Sequence, residues 1–82
     1  GRIMNKKAAI KKAVRDSLGK RPDKTATLER LASNTVALNY GSWSLEFTFS
    51  EYDDDGDPST EEEYNDIYSA IETIVNDHNN QA

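Results

Sequence analysis

The chain has 82 residues, a net charge of −5, and only 15 residues that are Leu, Ile, Val or Phe. A domain this small buries about 60–65% of its unfolded surface, which leaves few apolar side chains to line a catalytic pocket. It has no cysteine, which excludes a disulfide framework and a thiolate or cysteine–zinc site, and no apolar run near the roughly 20 residues that span a bilayer.

Gly1-Arg2-Ile3 ahead of Met4 reads as a cloning remnant, with the natural start at Met4. Residues 5–18 predict an amphipathic helix. Ile10, Val14 and Leu18 recur every four residues, while Lys6, Lys7, Lys11, Lys12 and Arg15 occupy the rest. Asn5 suits its cap, and Gly19 suits a left-handed residue at its end. Pro22 then breaks the pattern, because it disfavours helix at Arg21.

Leu28, Leu31 and Ala32 are spaced for a short helix over 25–33. Next comes a hairpin. Thr35–Tyr40 and Trp43–Ser50 both alternate, and Gly41-Ser42 between them fits a type II′ turn. A two-residue turn sets Tyr40 against Trp43, Leu38 against Leu45 and Val36 against Phe47, all on one face.

An acidic turn follows, and then a helix over about 60–77. Tyr64, Ile67, Tyr68, Ile71, Ile74 and Val75 form its apolar stripe. Ser59 with Glu62, or Thr60 with Glu63, supplies a capping box. Residues 78–82 read as a frayed, solvent-exposed tail. The expected architecture is therefore a single α+β domain over 1–82. Its order is helix, short helix, two-stranded antiparallel hairpin and long helix, with the helices packed on one face of the hairpin. The open hairpin edge offers a route to a homodimer.

Charge is divided along the chain. All ten basic residues fall within positions 1–30, against three acids there; residues 31–82 hold twelve acids and no Lys or Arg. Such asymmetry points to a charged partner, or to two halves that neutralise each other. Asp53, Asp54, Asp55, Asp57, Glu61, Glu62 and Glu63 concentrate carboxylates suited to docking on a basic surface. Trp43, beside the turn, and Tyr52 are the aromatic candidates for partner contact.

Two other chemistries fit parts of the chain. Lys6, Lys7, Lys11, Lys12 and Arg15 on one helix match a phosphate-binding face, although no aromatic residue is interleaved for base stacking. Residues 51–62 approximate a calcium loop, with Glu51, Asp53, Asp55, Asp57, Ser59 and Glu62 at the oxygen-ligand positions and Gly56 at the turn. Glu51 in place of Asp, Pro58 at the bridging position and a strand leading into the loop depart from that pattern. His78 is the sole histidine, and no nucleophile elbow or Gly-rich phosphate loop is present.

These features predict a non-catalytic, cytoplasmic, acidic protein-binding module without a cofactor, an inhibitor or adaptor that docks on a basic, nucleic-acid-handling enzyme or complex and not on a membrane. In size and charge it is similar to the compact acidic inhibitors of phages and immunity systems, an analogy that carries no fold information. The alternatives are a nucleic-acid-associated or assembly protein that uses the basic helix, and a calcium-binding module.

Overall fold

A computed structural model of the chain describes residues 6–52 and 61–81. Helix α1 (Lys6–Gly19) leads into three strands, β1 (Thr27–Ala32), β2 (Thr35–Tyr40) and β3 (Trp43–Thr48). A 3-10 turn (Phe49–Tyr52) follows, and helix α2 (Glu61–Gln81) completes the described residues. The α+β class matches the expectation; the sheet does not. It has three antiparallel strands in the order β1-β2-β3, not two.

The third strand is the segment whose spacing fitted a short helix over 25–33. As a strand, it pairs Leu28 with Leu38 and Arg30 with Val36, which places Leu28 against the core. Leu31 falls where the register shifts, between Arg30 and Ala32, and stays 46% exposed. Three apolar residues at helical spacing are a weak signal. A partner strand that satisfies one whole edge of β2 outweighs it.

Register in the β2–β3 hairpin is as the alternation dictates: Tyr40 opposite Trp43, Leu38 opposite Leu45, Val36 opposite Phe47. Gly41 has φ 61°, and no non-glycine residue among those described has positive φ, so Ser42 does not share it. A positive φ at the first central residue alone is the type II′ pattern. Strand β3 is shorter than expected, ending at Thr48. Phe49 still extends the ladder, its N–H donating to the Asn34 carbonyl at 2.7 Å before the chain curls. Its ring is fully buried.

Helix α1 buries Ile10, Val14, Ser17 and Leu18. Gly19 does not adopt the expected left-handed conformation. Instead the Lys20 and Arg21 amides donate to the Ser17 and Leu18 carbonyls at 3.2 and 3.0 Å, tightening the exit and satisfying the last carbonyls. Helix α2 buries Ile67, Ile71 and Val75. One core cluster joins both helices to Val36, Leu38, Tyr40, Phe47 and Phe49. None of the described helices is long and apolar enough to cross a membrane.

Residues 78–81 are not a frayed tail. They are the last turn of α2, and they hold the entry to β1. The Ala26 N–H donates to Asn79 Oδ1 at 2.7 Å, and Asn79 Nδ2 donates back to the Ala26 carbonyl at 2.8 Å. His78 Nε2 donates to the Lys24 carbonyl at 2.5 Å, so the imidazole serves a backbone group. These contacts offset helix fraying by giving the final turn tertiary partners.

Candidate functional site

The two helices run side by side in the same direction. Lys7 meets Asp66 at one end, and Leu18 and Gly19 line a groove with Ile74 and His78 at the other. Parallel helices bring their positive dipole ends together. Lys6 and Lys7 stand at the unfavourable end of α1, whereas Glu61, Glu62 and Glu63 stand at the favourable end of α2. The acids of one helix therefore compensate the bases of the other.

The compensation is visible in the contacts. Lys7 Nζ lies 2.9 Å from Asp66 Oδ2, with the side chains 42% and 62% exposed, which limits the pair to about 1 kcal/mol or less. The Lys6 ammonium sits 5.4 Å from the Tyr64 ring centroid. A shallow cleft of about 220 Å³ between the helix starts is lined by Lys6, Lys7, Glu63, Asp66 and Ile67. Further along α1, Lys12 pairs with Asp16 at 3.0 Å. Lys11 and Arg15 have no ion pair among the described residues, and Arg15 borders the groove between the two helix C-termini.

On the acidic side, Glu51, Glu61 and Glu62 are exposed and meet no cation among the described residues. Tyr52, at the end of the 3-10 turn, packs against the core. Burial pushes its hydroxyl pKa up, and the neighbouring Glu51 charge adds to the effect. Asp53, Asp54, Asp55 and Asp57 lie outside the described residues. So do Ser59 and Thr60 of the expected capping box, and most of the calcium-loop positions. Of those positions, Glu51 and Glu62 are described and belong to different elements. No three acids or histidines among the described residues are grouped to hold a metal ion.

Trp43 is half-buried, as its place beside the turn implied, but its ring is already engaged. The Arg21 guanidinium lies 4.1 Å from the Trp43 centroid and 5.5 Å from that of Tyr40. Tyr40 meets Trp43 edge-on at 4.7 Å, and its hydroxyl donates to the Ser17 carbonyl at 2.7 Å. Burial raises the Tyr40 pKa, with Arg21 pulling the other way. Arg21 thus caps the hairpin tip through cation–π contact instead of standing in solvent.

Sequence reasoning missed three tethering residues: Arg21, Arg30 and Asn79. Arg30 donates to Asn65 Oδ1 at 2.5 Å and to the Ser33 carbonyl at 2.9 Å, and its guanidinium stands 5.4 Å from the Tyr68 centroid. For Asn79 a signal existed. Ile71, Val75 and Asn79 recur every four residues, so a polar side chain continues the apolar stripe beyond its apparent end. Arg21 offered none, because its partner lies across the fold.

No protein-family model, curated protein or solved structure matches the chain.

Proposed function

We propose that the protein is a non-catalytic binding module whose acidic end docks on a basic, nucleic-acid-handling protein, as an inhibitor or adaptor. One observation carries this reading. Lys6 and Lys7 are drawn onto α2, while Glu51, Glu61 and Glu62 remain exposed without a described cation. Charge of one sign presented at one end steers encounter with a complementary surface and sets its salt dependence. The Asp53–Asp57 segment follows Tyr52 directly and adds four carboxylates to the same stretch of chain.

Affinity capture from a lysate of the source cell, with mass spectrometry, supplies the partner. Binding is then compared across a salt series for two variants. Replacing Asp53, Asp54, Asp55 and Asp57 together with Asn should weaken binding at low salt and leave the circular dichroism spectrum unchanged. Replacing Lys11, Lys12 and Arg15 with Gln should do little. The reverse order, with loss of a nucleic-acid complex in gel shift, would establish the basic-helix alternative, which rests on Lys11 and Arg15 having no described ion pair. The calcium reading predicts a rise in melting temperature with Ca²⁺ that Mg²⁺ does not reproduce; no such selective rise is expected here.

A further inference from the structure

We propose that the outer edge of β3 pairs with the same edge of a second copy, antiparallel, about a two-fold axis that passes Leu45. The two edges of this sheet are unlike. At the β1 edge the register shifts at Leu31, and Arg30 and Ala26 are tied to α2 through Asn65 and Asn79. Bulges and covering contacts of that kind blunt an edge. Strand β3 has no bulge, proline or lysine, and Glu46 is its single charge in a chain that is 30% charged. No strand among the described residues pairs with its outer side.

The phase of the ladder identifies which groups face outward. A two-residue turn makes Tyr40 and Trp43 a hydrogen-bonded pair, and the Phe49 amide bonded to the Asn34 carbonyl continues the same phase. Trp43, Leu45 and Phe47 therefore bond to β2, and the backbone N–H and C=O groups of Ser44, Glu46 and Thr48 point out of the sheet. None of these outward groups has a partner among the described residues.

Self-pairing has few registers, because residues opposite each other must share a face. Centred on Leu45, the pairing sets Leu45 against its own copy and Trp43 against Phe47 of the partner subunit. That extends the half-buried row of Trp43 and Leu45 on the helix-covered face. Ser44 then lies opposite Glu46 of the partner subunit on the outer face, and the two form a hydrogen-bonded pair. Moving the axis to Glu46 would set two carboxylates face to face. Moving it to Ser44 would leave only three residues of each strand paired. The Leu45 register avoids both penalties, and the pairing does not depend on acidic docking.

Sedimentation equilibrium of the full chain between micromolar and millimolar concentration should show the mass rising from 9.2 kDa towards twice that value. Ser44→Lys should tighten the dimer several-fold and Ser44→Glu weaken it several-fold, since each substitution meets Glu46 of the partner subunit twice per dimer. The chain has no cysteine, so single cysteines report the register. In a non-hydrogen-bonded antiparallel pair the Cα atoms approach to about 4.5 Å, within disulfide range. Leu45→Cys should therefore cross-link on mild oxidation, and Glu46→Cys should not. A chain that stays monomeric at millimolar concentration would overturn the proposal. So would a dimer indifferent to both Ser44 variants, or one in which Glu46→Cys links in preference to Leu45→Cys.

Discussion

Asn79 joins α2 to the backbone of Ala26 through both halves of its amide. Asn79→Ala removes an acceptor and a donor together and strands two part-buried backbone groups, so the expected loss is about 1–3 kcal/mol in urea titration. Asn79→Asp keeps the acceptor and repels the Ala26 carbonyl, and should be no better than Ala. Tyr40 supplies the pH-dependent residue. Burial favours its neutral phenol, so its folded pKa lies above the unfolded value of about 10. Its stabilising contribution is complete below that value and is lost as pH rises through the folded pKa. Alkaline unfolding followed by circular dichroism should be shallower in Tyr40→Phe. The slope that remains should shrink again with Tyr52→Phe, whose pKa is raised in the same sense.

Among the elements, the hairpin was legible and β1 was not. The hairpin's register is over-determined: Gly41 at positive φ and the alternation on both arms require the same pairing. Phe47→Ala should therefore cost about 3–5 kcal/mol, and Thr48→Ala, on the opposite face, under about 1 kcal/mol. Strand β1 is held by residues outside its own window, β2 just after it along one side and Asn79 of α2 on Ala26 at its entry, and no window of 25–33 contains that information. The two readings of 25–33 predict different energetics. In a helix, Leu28 and Leu31 would share one face; in the strand, Leu28 packs against the core and Leu31 is exposed. Leu28→Ala should cost about 2 kcal/mol or more, and Leu31→Thr should stay within about 0.5 kcal/mol.

At the scale of the whole molecule, every helix and strand contributes to one contiguous core, including Leu28 of β1 from its margin. Unfolding should accordingly be cooperative, with Trp43 fluorescence and far-ultraviolet circular dichroism giving coincident transitions. Separate midpoints would mean that the hairpin tip melts apart from the helices. The candidate site was legible as charge and not as geometry. The division of basic and acidic residues is plain in the sequence, but only the fold reveals that α1 and α2 lie parallel. That arrangement directs Lys7 onto Asp66 and leaves Lys11 and Arg15 without an ion pair among the described residues. Whether a lysine is spent inside the molecule depends on helix direction, and hydrophobic periodicity carries no record of direction.

The parallel packing of α1 and α2 also sets an order of events during synthesis. Helix α1 leaves the ribosome first, yet the surface that covers Ile10 and Val14 includes Ile67, Ile71 and Val75, more than fifty residues later. Until those residues emerge, the nascent chain can close its β-meander locally, because consecutive strands pair. It must still hold the apolar stripe of α1 and one face of the sheet open to chaperones and proteases. The last turn of α2, with Asn79 on Ala26, then works as a latch that shuts only when translation has passed residue 79. A ribosome stalled at residue 70 should display a protease-sensitive chain, and one stalled well beyond residue 81 a resistant one.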